Sequence, residues 1–151
     1  MRDALLTADT LEQIENSTQT LVLGLGNTLL GDEGIGVHTI QALRTRLKTM
    51  QNVELLDGGT LSFTLADDIE SAGNLIVIDA GEIQSPPGTV QLFEGEAMDR
   101  FIGSNKKQSV HEVCLLDLLS IAHLTGSLTQ RRALIAIQPK FIDWADSPCQ
   151  E

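Results

Sequence analysis

The chain has 151 residues, a length that fits one domain, and 42% of them are hydrophobic, enough for a core without disulfides or metal ions. Its 10 basic and 21 acidic residues give a formal net charge of −11, so we predict neither a nucleic-acid-binding nor a membrane-surface protein. The two cysteines and a start without a long apolar run predict a cytoplasmic protein without a secretory signal.

Three segments follow one another along the chain. The composition of residues 1–19 predicts a weakly ordered N-terminal appendage, because acidic residues interrupt its few aliphatic ones. Residues 20–139 predict a single α/β domain, and residues 140–151 a short polar tail that exposes Cys149. A sheet covered on both faces requires another helix after the last strand. No such helix is predicted after residue 137. We therefore expect that a partner or the appendage covers one face of the sheet, or that the chain is shorter than the fold requires.

The first predicted elements alternate between buried strands and helices. Residues 20–26 form a continuous apolar run that ends in glycines, which is typical of a strand buried on both faces. Apolar residues at helical spacing predict a helix over 35–48. A second strand is predicted over 53–57, and Thr60 is the expected N-cap of a helix over 61–71.

The second half of the domain repeats this alternation. Strands are predicted over 74–79, 89–93 and 132–137, and a helix over 111–124 follows a polar loop. Strands and helices that alternate in this way predict a three-layer α/β fold, with a mainly parallel five-stranded sheet between helices.

The glycine-rich segment after the first strand has two phosphate-binding interpretations, and both fail. Leu29 stands where the dinucleotide fingerprint has its third glycine. Residues 26–31 have the spacing of a P-loop, but Asp32 and Glu33 stand where Lys and Ser or Thr belong. Because a phosphate there would meet two carboxylates, we predict no nucleotide cofactor.

Acidic residues stand at the ends of three predicted strands. Asp32 or Glu33 follows the first strand, Asp57 ends the second and Asp79 ends the third, while His111 follows a loop that returns to the same edge. In open parallel sheets, ligands bind at this edge, near the point where the strand order reverses. Two carboxylates and one imidazole, with an open position for water, predict a metallohydrolase site.

Each of these residues also has a purely structural interpretation. An acid such as Asp32 or Glu33 at a helix start caps the helix or complements its dipole, and Asp57 before two glycines forms turns. His111 is equally consistent with a surface position at a helix entry. Asp79 is harder to explain in this way, because an acid at the end of an apolar strand is costly without a role.

Four motifs carry a resemblance to a known family. GLGNTLLGDEGIGV at residues 24–37 is followed by LDGGT at 56–60, IVIDA at 76–80 and SVHE at 109–112. In this order the motifs resemble those of the [NiFe]-hydrogenase maturation endopeptidases, over about residues 21–139. The family fold, a twisted and mainly parallel sheet between helices, agrees with the periodicity, and the family's last C-terminal helix is missing from this sequence.

The resemblance implies an endopeptidase that removes a C-terminal extension from the large-subunit precursor of a [NiFe]-hydrogenase after nickel insertion. The catalytic and metal-binding residues that it implies are Glu33, Asp79 and His111, and the substrate-binding residues are Asp57, Gly58 and Gly59.

Two mechanisms and two further functions are compatible with these residues. The three catalytic residues either hold the enzyme's own Zn²⁺ or Ni²⁺, or engage nickel that is already seated in the substrate. The missing helix is also consistent with a non-catalytic binding module that recognises the precursor or a small ligand. A flavodoxin-like nucleotide binder is disfavoured by the acid-lined first loop.

Overall fold

The computed structural model of the protein describes residues 19–48, 50–60, 63–104 and 110–150, with the backbone alone for 110–114. Most of the predicted appendage and most of the polar loop before the last helix lie outside the described residues. Among the described residues, no helix combines the length and apolar composition needed to cross a bilayer.

One five-stranded sheet forms the centre of the domain. Its strands are β1 (Thr20–Leu25), β2 (Val53–Gly59), β3 (Asn74–Ala80), β4 (Val90–Glu94) and β5 (Arg132–Ile137). Their order is β2-β1-β3-β5-β4, and all neighbours are parallel except β4, which is antiparallel to β5. The predicted mainly parallel five-stranded sheet is therefore confirmed.

Helices lie on both faces of this sheet. They are α1 (Ile35–Arg46), α2 (Ala66–Ser71), α3 (Glu96–Ser104) and α4 (Val110–Thr125), and 3-10 turns span Gly31–Gly34 and Phe63–Leu65. The larger core joins one sheet face to α2, α3 and α4, through side chains such as Leu23, Met98 and Leu118. The smaller core joins the other face to α1, through Val22, Ile40 and Ile78. This is the three-layer arrangement that the sequence predicts.

Two helices differ from the prediction. The helix expected from residue 61 begins at Ala66, because the chain first forms the 3-10 turn Phe63–Leu65, as helix starts often do. α3 has no counterpart among the elements predicted from the sequence. Its Met98 and Ile102 are four residues apart and buried, and Phe101 stacks on Phe93 with ring centroids 4.2 Å apart.

The face that α1 covers is only partly buried. α1 packs on β1, β2 and β3. Val90 and Leu92 of β4 pair with Ile137 and Ile135 of β5, and both β4 side chains are exposed within the described part of the chain.

Candidate functional site

The strand order creates a switch point at the carboxyl ends of β1 and β3. β1 lies between β2 and β3, so the connection after β1 leads to one side of it and the connection after β2 crosses to the other side. Ligands of parallel sheets bind at such points. The 3-10 turn Gly31–Gly34, which carries Glu33, follows β1 and contacts β3. Asp79 is the next-to-last residue of β3. The fold therefore brings the turn with Glu33 to the strand end with Asp79.

A close approach at Gly36 fixes this arrangement. A Cβ atom at Gly36 would lie 2.2 Å from the carbonyl oxygen of Ile78 and 2.3 Å from that of Leu25. Only glycine has no atom at that place. The start of α1 therefore rests directly on the ends of β1 and β3, one turn away from Glu33.

Asp79 is a buried carboxylate, with 6% of its surface exposed. It lines a cavity of about 10 Å³ together with apolar side chains from α3, α4 and β5, among them Phe101, Leu115 and Leu134. Such a volume is about what one water molecule needs. Because burial of a charged group among apolar walls is costly, this position is typical of a functional carboxylate.

The structure places the backbone of His111 in the first turn of α4, and its side chain is outside the described ones. Leu115, which lines the cavity beside Asp79, is four residues further along the same helix. Positions four residues apart share one face of a helix. Within the described side chains, no three His, Cys, Asp or Glu residues are grouped as a metal site.

Asp57 lies at the end of β2, on the opposite side of β1 from Asp79. It is exposed, and its Oδ1 accepts a hydrogen bond of 2.9 Å from the backbone N–H of Gly59. The register shifts here, because Gly24 pairs with Asp57 and Leu25 with Gly59, whose φ of 51° favours glycine. Asp57 therefore does form the local turn that its structural interpretation predicts.

A groove of about 260 Å³ lies beside this turn. Its lining includes Gly26, Asn27, Thr28, Asp57, Gly59 and Thr60. It is formed by the loop after β1 and the end of β2, so it adjoins the switch point on the β2 side. The predicted substrate-binding residues Asp57 and Gly59 thus line a concave surface at the same sheet edge as Asp79.

Asp32 has a different role from its neighbour Glu33. Among the described residues, neither the 3-10 turn nor α1 has a side-chain cap hydrogen bond, so Asp32 does not cap a helix. Its Oδ2 accepts hydrogen bonds from the backbone N–H groups of Lys140 (2.8 Å) and Phe141 (2.9 Å). Its Oδ1 accepts one from the N–H of Cys149 (2.6 Å), and the Cys149 thiol donates to Oδ2 at 3.1 Å.

These bonds determine the ionisation of Asp32. Burial raises the pKa of the carboxyl, but the bonds donated by Cys149, Phe141 and Lys140 outweigh burial and lower the pKa from 3.8 to about 2. Asp32 is therefore an ionised anchor near neutral pH.

We call the anchored segment, residues 140–149, the strap. Besides the bonds to the Asp32 carboxylate, the N–H of Gly31 donates to the carbonyl of Ala145 (3.0 Å), and the N–H of Ala145 donates to that of Leu29 (3.0 Å). Cys149, expected to be exposed, is half-buried and bonded to Asp32. The boundary of the tail at residue 140 stays a prediction, but its described residues pack on the glycine-rich loop.

Gln138 organises the loop that follows Asp79, and the sequence interpretation gave it no role. It is buried, and its Oε1 accepts a hydrogen bond of 2.9 Å from the N–H of Ile83. Its Nε2 donates to Glu82 at 3.0 Å. The available signal was a polar residue between an apolar strand and Pro139, since a buried amide requires partners.

Comparison with known proteins gives a consistent result. A family model described as hydrogenase maturation protease matches residues 37–149, a range that includes Asp57, Asp79 and His111 and begins after Glu33. The hydrogenase expression/formation protein HupD of Thiocapsa roseopersicina is 38% identical over 130 residues, which are 86% of this chain and 58% of that protein. The hydrogenase 2 maturation protease of Escherichia coli is 36% identical over 124 residues, 82% of this chain and 74% of that protein.

A solved structure agrees with these matches. The hydrogenase maturating endopeptidase HybD from E. coli superposes with a TM-score of 0.81 and 33% identity, covering 87% of this chain and 81% of that one. The chain spans about three fifths of the length of the curated relatives HupD and HoxM that it matches at 38% and 37% identity.

Proposed function

The chain belongs to the hydrogenase maturation protease family, and on this premise we propose that it is an endopeptidase that removes the C-terminal extension of a [NiFe]-hydrogenase large-subunit precursor after nickel insertion. The observation that carries the proposal is the switch point, where the turn with Glu33 contacts the strand that ends in buried Asp79. The proposed partner is the precursor. We also propose a cytoplasmic location, supported by the small number of cysteines.

We assign the metal contacts to Glu33, Asp79 and His111. Two carboxylates and an imidazole are a donor set that suits Zn²⁺ or Ni²⁺, and the buried Asp79 carboxylate beside a water-sized cavity is consistent with it. A bound ion would polarise the scissile carbonyl and acidify a water molecule. Alternatively, the same three residues contact nickel that the precursor carries, and the nickel then belongs to the substrate.

The remaining steps belong to the chain's own groups. A carboxylate that is partly withdrawn from solvent accepts the proton of the attacking water. Asp79 is better placed for this role than Glu33, because Asp79 lines the cavity. Asp57 and the following glycines bind the precursor beside the groove at the end of β2. The turn bond between Asp57 and Gly59 fixes the shape of that surface.

The proposal is tested by incubation of the chain with nickel-loaded and nickel-free precursor, with the precursor mass as the readout. We expect the tail to be lost from the nickel-loaded form alone. Unchanged mass of the nickel-loaded precursor contradicts the proposal, and binding without loss of mass supports the non-catalytic module instead. Prior chelation of the chain separates the two metal sources, because activity that survives chelation and removal of the chelator assigns the nickel to the substrate.

The role of His111 is tested by comparison with a second histidine in the same helix. His111→Ala is expected to slow tail removal by about 100-fold or more, the usual loss for a group that acts on the reacting atoms. His123→Ala is the matched control, since His123 is exposed in the last turn of α4. Equal rates for the two variants would remove His111 from the site.

A further inference from the structure

Four large apolar side chains are exposed where the strap lies on the glycine-rich loop. They are Leu29 (55% exposed), Phe141 (45%), Ile142 (56%) and Trp144 (76%), and together they are called the apolar patch. Trp144 is the only tryptophan in a chain whose other aromatic residues are four phenylalanines. Groups of exposed apolar side chains mark interaction sites, and tryptophan is enriched among residues that dominate binding energy.

The backbone beneath the apolar patch is held in place. The carboxylate of Asp32 accepts three backbone hydrogen bonds from the strap, and the N–H of Asp32 donates to the carbonyl of Phe141 at 2.9 Å. Leu30 and Ala145 form a parallel bridge, with Leu29 and Trp144 beside them in the sequence. Side chains on a fixed backbone lose less freedom on binding, so this surface is preorganised for a partner.

The apolar patch and the candidate active site share one turn. Leu29 enters the turn, Asp32 anchors the strap to it, and Glu33 is the next residue. A polypeptide bound across the patch is therefore adjacent to the turn that carries a proposed metal contact.

Charge indicates the chemistry of that polypeptide. Asp143 and Asp146 are exposed within the strap, Lys140 is its one basic residue, and the chain has a net charge of −11. An acidic segment would be repelled from this surface, whereas a segment with apolar and basic side chains would be attracted.

We propose that the apolar patch is the docking surface for a segment of the large-subunit precursor that is apolar and carries basic residues. This proposal rests on the proposed function and deepens it. The patch supplies affinity for the protein substrate, while Glu33, Asp79 and His111 act on the scissile bond. A second copy of the chain is the competing occupant, and the test distinguishes it.

The test measures KM and kcat for nickel-loaded precursor with the variant I142A/W144A. Because both side chains are exposed and neither supplies the backbone bonds of the strap, we expect an unchanged unfolding midpoint. KM should rise roughly tenfold or more while kcat stays the same. The reason is that the patch contacts the precursor equally in the ground state and in the transition state, so its loss weakens binding without slowing the bound complex. Leu124→Ala is the matched control, because Leu124 is 85% exposed on α4 and should leave KM unchanged.

A second variant tests the charge argument. Asp146→Asn removes one exposed charge from the strap, so KM should rise by a smaller factor and depend less steeply on salt. An Asp146→Asn variant with the salt dependence of the parent would contradict the proposed basic partner.

The outcomes separate the two proposals. Tail removal with the same KM in I142A/W144A and the parent overturns the docking surface and leaves the proposed function intact. If the parent forms dimers and the I142A/W144A variant is monomeric, the apolar patch is an interface with a second copy of the chain. This result also overturns the docking surface for the precursor. A parent that neither binds nor processes the precursor overturns both.

Discussion

At Asp32, one carboxylate joins parts of the chain that lie 108 to 117 residues apart. Its acceptors face the backbone N–H groups of Lys140, Phe141 and Cys149, so the strap is fixed to the turn that carries Glu33. The two adjacent acids therefore have different roles. Asp32 maintains the structure of the turn, and we propose that Glu33 contributes to the chemistry.

Asp32→Asn should destabilise the protein. Asparagine replaces one acceptor oxygen by an NH₂ group, which would face a backbone donor and leave it unsatisfied. We expect a loss of about 2 kcal/mol in the free energy of unfolding, measured by urea denaturation. Asp117→Asn, an exposed acid on α4, is the control, and a loss for Asp32→Asn as small as that of the control would refute the anchor.

The low pKa of Asp32 predicts a dependence of stability on pH. Its pKa is about 2 in the folded state and near 3.8 when unfolded, so its contribution is complete above pH 3.8 and is lost as the pH falls through 2. The size of this contribution is about 2 kcal/mol. The free energies of unfolding of the parent and Asp32→Asn should therefore converge between pH 5 and about pH 2. A difference that stays constant over this range would contradict the assignment.

The two acids show what a sequence can predict at this scale. Asp79 follows a run of apolar residues in the sequence, so its burial and its place at a strand end were predictable. The partners of Asp32 are distant residues that no local pattern connects to it, so its anchor role was not. For Asp57 the local pattern was sufficient for the turn, and its role in substrate binding stays a prediction.

Among the elements, an ion pair joins α3 to β5. Arg132, which is buried, donates from Nε to Oδ1 of Asp99 at 3.0 Å and from a second nitrogen to Oδ2. The hydrogen bond that Arg132 donates to Asp99 raises the pKa of Arg132 further above its already high value, against the effect of burial. The pair therefore orients α3 on the sheet, next to the helix residues that line the cavity of Asp79.

Removal of the Asp99 side chain should lower the free energy of unfolding more than removal of a surface acid on the same helix. Asp99→Ala leaves the Arg132 guanidinium buried without its carboxylate, and we expect a loss of about 2–3 kcal/mol in the free energy of unfolding. This loss is smaller than that for a fully buried ion pair, because Asp99 is partly exposed. Glu96→Ala is the control, since Glu96 pairs with Arg100 at 3.6 Å in solvent, where such pairs contribute less than about 1 kcal/mol. Equal losses in thermal or urea unfolding would contradict this role.

Element prediction succeeded for the strands and failed for the short helix α3 and for the strap. All five strands were predicted to within two residues, although only β1 and β3 are largely buried continuous apolar runs and most side chains of β4 are exposed. α3 is amphipathic and spans nine residues between a strand and a polar loop, so its Met98 and Ile102 gave a weak signal. The strap has neither helical nor strand periodicity, and tertiary hydrogen bonds determine its path.

For the whole molecule, the order of strands decides which candidate residues meet. The sequence predicted that the ends of parallel strands share one edge, but it contains no local signal for the order β2-β1-β3-β5-β4. That order places Asp79 next to the turn with Glu33, and Asp57 on the other side of β1. The spatial separation between the proposed reacting groups and the proposed substrate-binding turn follows from topology.

The most direct test of the central claim is the rate at which Asp79→Asn removes the tail of nickel-loaded precursor, measured by mass against Asp117→Asn. Asparagine keeps the size of the buried side chain but cannot accept a proton as a carboxylate does. We expect the Asp79→Asn rate to fall by about 100-fold or more, with a folded protein and an unchanged Asp117→Asn rate. Processing by folded Asp79→Asn at the parent rate would contradict the assignment of the active site to the switch point.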